Sequence, residues 1–258
     1  MNTANPDASA PLQPLLEFEN VTVYSGTKKV LDSLSITIRQ GENIAILGPN
    51  GAGKTTLFNL ITGFLQPDLG KIRFLGQDLV GLAPHLICKL GITRTFQIVK
   101  PFSHLTTLEN VAVGCYNRTA AVEEVEEKAW EILRFVGLES KALQPASSLT
   151  TPDRKRLEMA RALGTRPRLL LLDEVMAGLN PKEQGDIVAL VHKVREAGTA
   201  ILIIEHHMRV IMGVSDRIVV INHGVCIADG EPQRVCEDPG VIEAYLGKGA
   251  YACLGSTT

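Results

Sequence analysis

NIAILGPNGAGKTT, residues 43–56, decides the fold. NIAIL is a short apolar run, as expected of a strand buried on both faces. Glycines then fall at 48, 51 and 53, and a helix is expected from Lys54 to about residue 63. Strand, glycine-rich loop and helix in this order fit G-x-x-x-x-G-K-[ST], with Gly48, Pro49, Asn50, Gly51, Ala52, Gly53, Lys54, Thr55 and Thr56 as its residues. The glycines let the backbone curl until its N–H groups face one concavity. The helix N-terminus adds partial positive charge there, which suits a phosphate chain. Lys54 supplies a full charge to the terminal phosphates, and the Thr55 hydroxyl can ligate Mg²⁺.

Outward from this stretch, LLEFENVTVYS (15–25) and KVLDSLSITIR (29–39) alternate apolar and polar residues. They predict antiparallel strands joined by a turn around Gly26. KIRFLG (71–76), RLLLLDE (168–174) and TAILIIE (199–205) read as further strands, and RIVVINHGVCIADG (217–230) as a hairpin turning at His223-Gly224. Residues 123–136 and 186–198 carry apolar residues at helical spacing. Continuous apolar strands between helices imply a parallel sheet covered on both faces.

Composition narrows the class. The chain has 258 residues, a net charge of −2 and an ordinary apolar content of 45%, so generic nucleic-acid binding is not expected. Its five cysteines are scattered without metal-like spacing, the usage of reduced thiols. Residues 1–14 read as a disordered tail without a secretory leader, and no apolar run reaches 18 residues. Any membrane role must come through a partner.

Acids stand where the strand LLLLDE ends. In open α/β sheets ligands lie at the carboxyl ends of strands. Asp173 is expected to hold Mg²⁺, and Glu174 to orient and deprotonate an attacking water. His206 follows the strand AILIIE; Gln97 lies in RTFQ, and Tyr24 ends the first strand. Alone, none of these three carries a signal.

Together they do. Tyr24, GPNGAGKTT, Gln97, the stretch SSLTTPDRKRLEMARAL (147–163), LLLLDE, AGLNP (177–181) and EHHM (205–208) follow in the order of the ATP-binding-cassette (ABC) ATPases, which the chain resembles from about residue 15 to 247. LGITRTFQ (90–97), LTTLENVAVG (105–114), MAGLNPKE (176–183) and VIEAYLGK (241–248) resemble the ATPase subunits of branched-chain amino acid importers. The resemblance implies an α/β P-loop NTPase: a RecA-like parallel core, an antiparallel β subdomain, and a helical subdomain inserted at about 98–165. The ATPase domain would span 15–248, with 249–258 a second tail. It implies ATP and Mg²⁺ as ligands. Tyr24 would stack on adenine, residues 48–56 hold the phosphates, and Thr55, Gln97 and Asp173 serve the metal. Glu174 would be the catalytic carboxylate, His206 the switch histidine, and Asn180 part of the loop crossing to a second site. Permease subunits, a periplasmic solute-binding protein and a second ATPase subunit, expected to be a different chain, would be the partners. The place of work would be the cytoplasmic face of the inner membrane. An ATPase of another ABC system, such as lipid or lipopolysaccharide export, and an ATP-binding regulatory subunit remain as alternatives.

The departure lies in 147–163. The family's signature is commonly LSGGQ; here Leu149-Thr150-Thr151-Pro152-Asp153 stand in its place. Thr150 keeps a hydroxyl for the partner's ATP. Thr151, expected to cap the helix, adds bulk where the backbone must approach, and Pro152 removes an N–H donor. Asp153 is expected to put negative charge near the incoming phosphate. Arg154, Lys155 and Arg156 either offset that charge or form a solvated face.

Overall fold

The computed structural model describes residues 14–96, 100–205 and 208–246. Strands β1 (Pro14–Ser25) and β2 (Lys28–Arg39) form the expected antiparallel pair, with Gly26 in the turn at φ 62°. After β3 (Asn43–Leu47) and α1 (Lys54–Ile61), β4 (Leu69–Phe74) and the short β5 (Gln77–Asp78) return to that sheet, giving the order β2-β1-β4-β5. Helix α2 (Pro84–Leu90) leads to β6 (Ile92–Arg94). Helices α3 (Thr107–Cys115), α4 (Val122–Val136) and α5 (Thr151–Gly164) then pack on one another before β7 (Leu169–Asp173) begins. The remainder is α6 (Pro181–Glu196), β8 (Ala200–Ile204), α7 (Met208–Val214), the hairpin β9 (Arg217–Asn222) and β10 (Val225–Gly230), and α8 (Pro232–Cys236) with α9 (Pro239–Leu246).

The second sheet has six strands in the order β10-β9-β3-β8-β7-β6. From β9 to β6 every neighbouring pair is parallel, and β10 is antiparallel to β9. Alternation within the apolar runs explains how one sheet serves two cores. Ile44, Ile46, Leu169, Leu171, Leu202 and Ile204 join α1 and the antiparallel sheet in one core. Ala45, Leu47, Leu170, Leu172, Ile201 and Ile203 join α3, α4, α5 and α6 in the other. Each fully buried Leu or Ile contributes about 1.5–3 kcal/mol, so both faces are strongly specified and register slips are disfavoured.

Two helix starts differ from the sequence expectation. Helix α6 begins at Pro181 rather than near 186, because Asn180 caps it and Glu183 completes a capping box. Helix α5 has Thr150 rather than Thr151 as its N-cap, which places Pro152 one position inside the helix. The sheet brings Asp173 and the glycine loop to one edge: Asp173 pairs with Ile204 of β8, and β3 lies beside β8 and feeds the loop.

Candidate functional site: a phosphate cradle beside an acidic strand end

Gly48 leaves β3 at φ 152°, and a Cβ there would stand 2.1 Å from the Ile221 carbonyl oxygen of β9. Only glycine lets the loop pass so close to that strand. Gly53, at φ 109°, is the N-cap of α1 and supplies no side-chain cap. The helix's positive end is therefore not satisfied by its own side chains and opens on the loop. Val30, Asn50, Gly51, Gly53, Lys54, Thr55, Thr56, Glu174 and Ile204 line a cavity of about 200 Å³ at this point. Its chemistry suits a phosphate chain: backbone amides, two hydroxyls and an ammonium, faced by one carboxylate.

Lys54 is 8% exposed, and its Nζ donates to the carbonyls of Gly48 at 2.6 Å and Pro49 at 3.0 Å. Burial pushes its pKa down, and the charges of Glu174 and Asp173 push it back up. An anion in the cavity would hold the lysine charged. Glu174 stands across the cavity at φ 47°, a left-handed conformation unusual for glutamate, with its N–H bonded to the Ile204 carbonyl at 2.9 Å. The next turn is fixed by Glu205, whose carboxylate accepts from the Met176 N–H at 2.9 Å.

Asp173 and Thr55 share a second cavity of about 540 Å³ with Arg94, Phe96 and Lys100. A hydroxyl and a carboxylate are hard oxygen donors, a fit for Mg²⁺, which takes few protein ligands and completes its shell from phosphate and water. Among the described residues no group of three acids, histidines or cysteines could hold a metal alone. Gln97, the third expected metal residue, and His206 lie outside the described residues, as does His207. Tyr24 is 42% exposed at the end of β1, opposite Lys29, with its N–H bonded to Asp68. It stands outside the phosphate cavity.

The turn at 150–156 corrects the sequence reading. Asp153 does not face solvent: it is 6% exposed, accepts from the Thr150 hydroxyl at 2.6 Å and pairs with Lys141. Burial pushes its carboxyl up, but the bonds from Lys141 and Thr150 outweigh this and hold it below the usual range. The three bases are not one solvated face. Arg154 donates to the Ser147 carbonyl, Arg156 pairs with Asp186, and Lys155 is 5% exposed. Asn180, expected in a crossing loop, is exposed while its side chain caps α6. Asparagine is among the residues that cap a helix best, so the loop's residue also fixes the start of α6.

Three contacts around the site had no sequence signal. Arg94 pairs with Asp173 at 2.5 Å. Helix α5 grips the chain on both sides of 97–99: Glu158 accepts from the Phe96 N–H at 2.6 Å, and Arg161 donates to the Lys100 carbonyl while its guanidinium lies 4.7 Å from the Phe102 ring. The Tyr245 hydroxyl of α9 accepts from the Gly48 N–H at 2.6 Å.

Fold and cradle together define a P-loop nucleotide-binding cassette. The sequence model of the ABC transporter family matches residues 31–177, and that of the branched-chain amino acid ATP-binding cassette transporters matches 225–251. The high-affinity branched-chain amino acid transport ATP-binding protein BraF of Pseudomonas aeruginosa is 40% identical over 252 residues, covering 92% of this chain and 99% of BraF. A crystal structure of a nucleotide-free ATP-binding cassette from an ABC transporter superposes with a TM-score of 0.84 at 35% identity, covering 92% of this chain and 100% of that one. The dimeric post-hydrolysis state of another cassette, bound to ADP and phosphate, gives 0.75 at 26% identity over 84% of this chain and 99% of that one. The chain belongs to the ABC transporter family, among its branched-chain amino acid ATP-binding cassettes.

Proposed function

We propose that this chain hydrolyses ATP to drive a branched-chain amino acid importer, working at the cytoplasmic face of the inner membrane. The observation that carries this reading is the single cavity in which Lys54, Thr55 and Thr56 face Glu174. Residues 48–56 hold the phosphates through backbone N–H groups, and Lys54 leaves its own loop's carbonyls to neutralise them. Glu174 accepts a proton from the attacking water as its oxygen bonds the terminal phosphorus; the bond to the bridging oxygen breaks and ADP leaves. Magnesium, when bound by Thr55, Asp173 and Gln97, supplies charge neutralisation on the phosphate oxygens. Tyr24 stacks on the adenine, and His206 contacts the terminal phosphate.

Among the described residues no helix is long and apolar enough to cross a membrane, so the force is passed to permease subunits. A periplasmic solute-binding protein delivers the amino acid to them. A second ATPase subunit completes the assembly; the dimeric relative bound to ADP and phosphate supports a paired arrangement. That subunit is a different chain with an intact signature, because the turn at 150–153 lacks one amide and carries a side chain where glycine is usual. The site formed by this chain's Lys54 and Glu174 then hydrolyses ATP faster than the site its own Thr150 serves.

The test is transport. The chain, purified with its permease subunits and solute-binding protein and placed in vesicles, is expected to drive ATP-dependent uptake of leucine, isoleucine or valine. Uptake of another solute class, or ATP binding without turnover in the assembled complex, would overturn the reading.

A further inference from the structure

Arg94 ends β6 on the floor of the Asp173 cavity, and its side chain is 7% exposed. Its Nη2 donates to Asp173 Oδ2 at 2.5 Å and its Nη1 to Asn59 Oδ1 of α1 at 2.7 Å. Two rings cover the guanidinium, Phe58 at 5.3 Å and Phe96 at 5.4 Å from its centre. Such a buried pair is a poor device for stability alone, because desolvation offsets most of the Coulomb gain. Arg94 Nε is buried with no hydrogen-bond partner among the described residues, which adds to that cost. What the arrangement does provide is orientation. Asn59 fixes the fork, the rings fix its plane, and the fork takes one oxygen of Asp173 and leaves the other for the cavity shared with Thr55.

We propose that Arg94 is a positioning residue for the metal–nucleotide complex. It sets the Asp173 carboxylate so that its second oxygen serves the metal. Through Phe96 it also ties that carboxylate to the stretch leading into Gln97. This rests on the ATPase reading.

The experiment titrates Mg²⁺ against binding of a fluorescent ATP analogue to the full chain, beside the same binding in EDTA. For Arg94→Met the Mg²⁺ concentration at half-effect is expected to rise about 10–100-fold, the usual cost of losing a residue that orients a metal ligand. Binding in EDTA stays within about twofold of the unaltered chain, since the phosphate cradle is untouched. Arg94→Lys recovers part of the loss. Asn59→Ala, which keeps the ion pair and frees the fork, raises the requirement about threefold, in line with one lost hydrogen bond. An unchanged Mg²⁺ requirement in Arg94→Met would overturn the proposal, as would a lowered one, which would make Arg94 a competitor of the metal. Equal losses with Mg²⁺ and in EDTA would mark a merely structural pair. If Arg94→Met does not fold, an unchanged requirement in Asn59→Ala is the overturning result. An unaltered chain that binds no nucleotide would overturn the ATPase reading itself.

Discussion

Helices α1 and α5 both begin without a side-chain cap, and their first turns carry opposite charge. Helix α1 starts at Gly53 with no side-chain cap, a lysine and two hydroxyls beside it, and an open cavity in front. Helix α5 starts at Thr150, whose hydroxyl is already given to Asp153, and Asp153 is already paired with Lys141. Neither helix has a side-chain cap on its amides; the first opens on the cavity with an ammonium beside it, and the second holds a buried, paired carboxylate in its own first turn. The difference teaches that the charge a first turn already holds, and not the lack of a cap alone, sets what a helix N-terminus offers a phosphate. It also moves the reason for a weak signature turn. The charge of Asp153 is buried and compensated, so it does not repel the partner's nucleotide. What remains is the missing amide at Pro152 and the side chain at Thr151.

Changes to the two regions are expected to differ in size and kind. Lys54→Ala removes the ammonium that lines the phosphate cavity, and turnover should fall about 10²–10³-fold, the range for losing a preorganised charge-stabilising donor. Steady-state hydrolysis in the assembled complex checks this, and a loss under tenfold would break the comparison. Restoring Ser-Gly-Gly at 150–152 should raise turnover at the site this turn serves by about 5–30-fold, the worth of one or two recovered hydrogen bonds. No gain would mean that the turn is not limiting. Tyr245→Phe removes the acceptor of the Gly48 N–H, and nucleotide affinity measured by calorimetry should fall about fivefold, one ordinary hydrogen bond.

Lys141→Met should leave nucleotide affinity at the cradle unchanged and lower stability by about 1 kcal/mol, because the lysine end of the pair is open to solvent. The sign with pH follows from the depressed Asp153 carboxyl. Its contribution is present above the unfolded value near 4 and is lost as pH falls through that value toward the folded one. Urea denaturation at a series of pH values should show the gap between the two proteins closing on acidification.

Much of this was legible in the sequence because the informative residues are neighbours along the chain. The loop 48–56, the turn at His223-Gly224 with φ 47° and 82°, and the alternating strands β1 and β2 each carry their reason locally. The start of α6 was also legible, since Asn180 and Glu183 form a capping-box pattern that apolar periodicity alone passes over. The rest depends on distance in sequence. Arg94 meets Asp173 across 79 positions and Tyr245 meets Gly48 across 197, and neither an arginine before RTFQ's phenylalanine nor a tyrosine near the chain's end announces a partner. Asp153 misled for the same reason: its place at a helix start says that its charge suits the dipole, and only the fold shows Lys141 beside it.

In the proposed assembly the cradle of this chain forms the faster of two unequal ATP sites. Glu174→Gln, made in the assembled complex with the partner ATPase left intact, tests it most directly. Steady-state ATP turnover is predicted to fall about 10²–10⁴-fold, the loss of a general base, while removal of the partner's corresponding carboxylate leaves most of the turnover in place. Near-normal turnover after Glu174→Gln would mean that the faster site is not the one this cradle forms.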